Sequence, residues 1–179
     1  MVAAWEGDLA LQAAVHALPE ALKDALAVDW SAAVPVLASA TRLYVVGRAS
    51  GLAVAQEIAL KLKETCGLHA EAFSSAEVQH GPMAIVGPGF PVLCFAQDDR
   101  SGDATTALAE TFRRRGARVW LAAPGARGEG CLPLPASPHP ACTPLVALAS
   151  FYKAANALAL ARGRDPDLPP HLRKVTRTR

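Results

Sequence analysis

Glu57, Lys61, Glu64 and His80 fall within one short span, and their types suit acid–base chemistry. The three charged residues are spaced i, i+4, i+7. Seven residues are nearly two helical turns, so a helix carries all three on one side. A carboxylate can take up a proton, an ammonium can steady developing negative charge, and an imidazole can pass a proton at neutral pH. Converging on a cleft, they suit proton transfer beside a carbonyl. The same spacing also describes an ordinary surface ion pair, worth only about 0.3 kcal/mol, and a lone histidine is commonly structural. One further polar candidate, Lys174, lies in a C-terminal cluster with Arg162, Arg164, Arg173, Arg177 and Arg179. That cluster reads either as a solvated tail or as an arm that faces an anion.

Strand–helix alternation must position these groups. Residues 1–40 carry helical signals only. Asp8 suits a helix cap with Leu11, Val15 and Leu18 on one side, Pro19 suits the first turn of a second helix, and Ser31 opens a third short stretch. From Leu43 the texture changes. Leu43–Val46 reads as a buried parallel strand, followed by a Gly47–Gly51 turn in which Ser50 can cap a helix from Leu52 to Cys66, closed by Gly67. Ala70–Phe73 is a weaker strand, and Ser74-x-x-Glu77 fits a capping box ending at Gly81-Pro82, which locks His80 in place. Pro91–Ala96 and Val119–Ala123 are further strands around a helix from Asp103 to Arg115. Cys131–Leu134 is a poor fifth strand that Pro133 assigns to an edge. Thr143-Pro144 reads as a capping hydroxyl and first-turn proline for a last helix. There Leu145, Leu148, Tyr152, Ala155 and Ala159 share a face, and Gly163 closes it. The pattern predicts a parallel sheet with helices on both faces and ligands at the carboxyl ends of the strands.

Composition bounds the remaining possibilities. With 179 residues, 51% of them hydrophobic, the chain can bury one core, and a formal net charge of +2 gives no drive toward nucleic acid or an anionic membrane. Cys66, Cys94, Cys131 and Cys142 show no metal-ligand spacing, and Cys66 and Cys94, in apolar stretches, suit buried thiols in a reducing cytoplasm. The N-terminus does not read as a signal peptide, and Asp29, Arg42 and Lys153 are expected to interrupt apolar runs short of a membrane span. The glycine turn lacks GxGxxG spacing, so a dinucleotide reading is weak, and Gly87-Pro88-Gly89 is no P-loop.

The segments EIALKLKE (Glu57–Glu64), HAEAF (His69–Phe73), AEVQHGPMAIV (Ala76–Val86) and DPDLPPHLRK (Asp165–Lys174) resemble the sugar isomerase (SIS) domain family. The resemblance is to the second SIS domain of glucosamine-6-phosphate synthases and of SIS-type aminosugar-phosphate deaminases and isomerases. It covers about residues 40 to 179. It implies a flavodoxin-like, three-layer αβα sandwich on a five-stranded parallel sheet, with a helical lead-in over 1–40, the SIS domain over 41–162 and a tail over 163–179. It further implies that Glu64 moves a proton between C1 and C2 of an open-chain sugar phosphate. His80 would assist ring opening, in the synthase by reaching a neighbouring subunit's site, and Lys174 would meet the carbonyl end of the sugar. Glu57 and Lys61 occupy supporting positions. Ser50, in the turn after the first strand, and Arg173, beside Lys174, complete the substrate-binding candidates. The chemistry requires no metal and no cofactor. The implied partners are a sugar phosphate and either a second copy of the chain or a first SIS domain.

The loop Gln97–Asp103 departs from this pattern. Its aspartates Asp98, Asp99 and Asp103 would repel a phosphate that family members grip with serines and threonines of the first domain. No cysteine near the N-terminus suits a glutaminase. Met1-Val2 running straight into a helix suits a piece of a longer two-domain enzyme. The alternatives are a natural single-domain protein completed by a partner chain, and a non-catalytic sugar-phosphate-binding or regulatory module. Isomerase, deaminase and aminating reactions share the same proton transfer.

Overall fold

A computed structural model describes residues 2–171. Its helices are α1 (Val2–Trp5), α2 (Leu9–Ala27), α3 (Val34–Ala38), α4 (Ser50–Cys66), α5 (Arg100–Arg114) and α6 (Thr143–Ala161). Its strands are β1 (Arg42–Gly47), β2 (His69–Ser74), β3 (Pro91–Phe95), β4 (Arg118–Pro124) and β5 (Cys131–Leu134). The five strands form one parallel sheet in the order β2-β1-β3-β4-β5, with Tyr44 facing Glu71 on one side and Val92 on the other. β5, with Pro133, is an edge strand. Alternation along β1 feeds two cores, as expected of a strand covered on both faces. Leu43 and Val45 pack with α4, α6 and Trp30. Tyr44 and Val46 pack with α5 and with Val78, Val86 and Phe90 of the long β2–β3 connection. The result is the expected three-layer αβα sandwich, with α2 laid on α6 through Ala21, Ala25 and Val146.

Several local expectations give way. α2 is one continuous helix with Pro19 inside it, not two helices. Proline removes one N–H, but the Val15 carbonyl it leaves unpaired is on an exposed turn where water can serve. The buried stripe of α2 is Ala14, Ala21 and Ala25, while Val15 and Leu26 are exposed. Ser50 and Thr143 are inside their helices, and neither caps. Glu77–His80 is a 3-10 turn without a side-chain cap. Ser74 Oγ accepts from the Ala76 N–H, so no capping box forms. On α6 the buried face is Val146, Ala147, Ser150, Phe151, Ala155, Leu158 and Ala159, leaving Leu145 and Tyr152 exposed. Lys153 does not interrupt this helix. Pro140–Ala161 is long and apolar enough to cross a bilayer, with mean hydropathy 1.3. Of its apolar window 39% is buried, with Ala147, Phe151, Ala155, Leu158 and Ala159 in the core shared with α4 and the sheet.

Candidate functional site

The charged ridge forms on α4 as its spacing requires. Ile58, Ala59 and Leu62 bury the inner face, so Glu57, Lys61 and Glu64 are turned outward and remain about one-quarter to one-third exposed. Lys61 Nζ donates to Glu64 Oε2 at 2.8 Å and lies 3.8 Å from Glu57 Oε1. The Glu64 hydrogen bond, helped by the Glu57 charge, holds the Lys61 ammonium above its ordinary pKa despite partial burial. Tyr152, from the neighbouring α6, donates its phenol proton to Glu57 Oε1 at 3.1 Å. Burial first, then the Glu57 carboxylate, pushes that phenol upward. The arrangement is a four-member chain, Tyr152–Glu57–Lys61–Glu64. It presents two carboxylates and one firmly charged ammonium at a partly desolvated surface, the kinds of group needed to shift a proton beside a carbonyl.

Nothing in the sequence marks Tyr152 as a site residue, and its spacing assigns it to the apolar face of α6, whereas the structure leaves it exposed. Because α6 is apolar nearly all round, periodicity could not orient it. The signal that could have found it is a phenol on a helix whose other polar side chains are few: Thr143, Ser150, Lys153 and Asn156.

Glu64 and His80 do not converge within the chain. α4 covers one face of the sheet. His80 is exposed on the β2–β3 connection, whose Val78 and Val86 pack on the other face. Tyr44 Oη donates to the Pro82 carbonyl at 3.3 Å, which ties the segment just after His80 to that second face. The two residues therefore belong to elements packed on opposite faces of the sheet. Lys174 and Arg173 lie outside the described residues.

Ser50 is the first residue of α4, at the carboxyl edge of the sheet. Its Oγ donates to Gln97 Oε1 at 2.7 Å, and Gln97 Nε2 donates to the Arg48 carbonyl at 3.2 Å and to Ser101 Oγ at 3.4 Å. Asp99 accepts from the Ser101 and Gly102 amides and so occupies the N-terminus of α5. The Ser101 hydroxyl, which also donates to Asp99 Oδ1, does most to hold the carboxyl below its usual range, and the two amides add to it. The amides that could cradle a phosphate are thus taken by a carboxylate, which places the anticipated repulsion at a definite atom. Gly47 must be glycine here, because a Cβ would meet the Gly51 carbonyl at 2.1 Å. The turn also holds Ala49 at φ +49°, a strained value for a residue with a side chain.

An open groove of about 630 Å³ lies at the opposite, amino edge of the strands. Ser39, Thr41, Arg42, Phe90 and Arg118 line it, with Arg42 stacked 5.2 Å from the Phe90 ring centre. It contains none of the site residues named from the sequence. Among the described residues no group of three His, Cys, Asp or Glu side chains could hold a metal ion.

Fold and ridge together define a parallel α/β domain with a charged, ion-paired helix on one face. The SIS domain family matches residues 36–123. The glutamine–fructose-6-phosphate aminotransferase of Aeropyrum pernix is 33% identical over 175 residues, covering 92% of this chain and 28% of its own length. A protein of that name from Sphingobium yanoikuyae is 34% identical over 134 residues, 72% of this chain and 86% of its own. Among solved structures, a protein of Silicibacter pomeroyi assigned as a phosphosugar isomerase superposes with a TM-score of 0.82 at 42% identity, over 92% of this chain and 50% of that one. The C-terminal domain of glucosamine-fructose-6-phosphate aminotransferase from Francisella tularensis shares the fold, with a TM-score of 0.66 at 24% identity.

The chain belongs to the SIS domain family. It spans about a quarter of the length of the first curated relatives it matches, 28% and 23%.

Proposed function

We propose that this chain is the phosphosugar-binding, catalytic half of an aldose–ketose isomerase or deaminase acting on glucosamine 6-phosphate or fructose 6-phosphate. Glu64 takes a proton from one of C1 and C2 of the open-chain sugar and returns it to the other. Lys61 and Lys174 steady the charge on the enediol-like intermediate, and His80 assists ring opening. The observation that carries this reading is the outward ridge in which Lys61 bonds Glu64 at 2.8 Å on a half-covered helix face. The names of the relatives support the substrate class. Arg162, bonded to the Cys66 and Gly67 carbonyls one turn from Glu64, supports the role of Lys174, because the tail departs from beside the base.

The carboxyl edge, filled by Ser50, Gln97 and Asp99, favours a phosphate grip supplied from elsewhere. We therefore propose a homodimer, or pairing with a first SIS domain, in the cytoplasm, with Ser50 and Arg173 in supporting places. In this reading residues 1–40 are a lead-in, 41–162 the SIS domain and 163–179 the tail. The reaction needs no cofactor and no metal. The test supplies a first SIS domain and glucosamine 6-phosphate, then follows ammonia and fructose 6-phosphate. Turnover that Glu64→Gln or His80→Ala abolishes supports the enzyme. Tight binding without turnover supports a binding or regulatory module instead, and strong Glu64-dependent turnover by the chain alone overturns the half-enzyme account.

A further inference from the structure

We infer that Tyr152 is a positioning residue for the Glu64 base, acting through Glu57 and Lys61; the inference rests on the proposed function. The geometry is specific to one atom. Glu57 Oε1 accepts the Tyr152 phenol proton at 3.1 Å, and the same oxygen faces Lys61 Nζ at 3.8 Å. Lys61 is left with its short bond, 2.8 Å, to Glu64. Two carboxylates therefore compete for one ammonium, and the phenol decides the competition by satisfying part of the charge on Glu57. Without that donor, Glu57 draws Lys61 toward itself and away from Glu64, and the base loses the cation that orients it. The pairing crosses from α6 to α4 over a large sequence distance, so it is a tertiary contact and not a by-product of helical spacing.

The position of the ring agrees with this role. Tyr152 is 44% exposed, while its neighbour Phe151 is buried in the core of the same helix. A phenylalanine at 152 would preserve the ring's packing, so the hydroxyl is the part to test. The charged groups that face the phenol are Glu57 and Lys61, and both enter its raised pKa.

The chain holds only two tyrosines. In a Tyr44→Phe background, ultraviolet titration of the full chain reports Tyr152 alone. The phenol is expected to titrate above its ordinary range, and Glu57→Gln is expected to move it downward. In the assay with the first SIS domain supplied, Tyr152→Phe is expected to lower kcat on the order of tenfold while leaving KM within about twofold, as loss of orientation of a base requires. A phenol that Glu57→Gln leaves in place, or a kcat that Tyr152→Phe leaves unchanged while Glu64→Gln abolishes it, overturns the inference. A Glu64→Gln variant with full turnover instead overturns the proposed function. The titration still decides whether Tyr152 is tied to Glu57.

Discussion

Lys61 is the hub of the ridge, and its protonation gives the ridge a pH dependence of definite sign. Its folded pKa is raised above the ordinary 10.5, chiefly by the hydrogen bond to Glu64. A raised cation contributes stability that is fully present below the unfolded value and is lost as pH rises through the folded one. Lys61→Met is thus expected to cost less than about 1 kcal/mol at neutral pH, since the side chains are partly solvated. Urea denaturation should show the gap closing at pH values above 10.5. At this scale the sequence was informative where local geometry decides. The i, i+4, i+7 spacing of Glu57, Lys61 and Glu64 translates directly into a shared helix face. Tyr152 was illegible as a partner because its contact depends on the rotation of α6 against α4, which an almost uniformly apolar helix does not encode.

Helix ends carry the next level of organisation, and Arg162 shows it most clearly. Its Nε donates to the Cys66 carbonyl at 2.7 Å, and Nη1 to the Ala38 and Ala40 carbonyls at 2.8 and 2.9 Å. One guanidinium thereby satisfies the carboxyl ends of both α3 and α4, where the helix dipoles favour a cation. In the sequence Arg162 belongs to the basic terminal cluster, and nothing local distinguishes it from solvated charge. Arg162→Ala is expected to lower stability by about 2–3 kcal/mol, read from the urea midpoint. Lysine, lacking the planar fork, should recover no more than roughly half of that. Gly67, which closes α4 at φ +56°, sits under Arg164, and a Cβ there would meet that guanidinium at 2.1 Å. The glycine stop was legible because the left-handed turn that ends a helix is a local requirement; the space taken by Arg164 was not. The caps at Ser50, Ser74 and Thr143 were not, because each hydroxyl competes between a cap, a turn and a tertiary partner. At Ser50 the tertiary partner Gln97 wins.

At the scale of the whole molecule, the sheet separates the functions. The β-rich runs and glycine turns were enough to read five parallel strands between helices, because burial on both faces imposes a recognisable pattern. The faces of the sheet to which Glu64 and His80 belong were not readable. That choice follows from the path of the 77–90 connection across the layer holding Val78, Val86 and Phe90. With their elements on opposite faces of the sheet, we propose that a site using both residues draws them from two chains. The most direct measurement mixes Glu64→Gln chains with His80→Ala chains, in the presence of a first SIS domain and glucosamine 6-phosphate. Each variant alone should be inactive. If chains exchange freely in a two-fold dimer, half of the dimers are mixed and each restores one of two sites, so turnover should return to roughly a quarter of wild type. A mixture as inactive as its components, or full activity in either variant alone, would contradict the account.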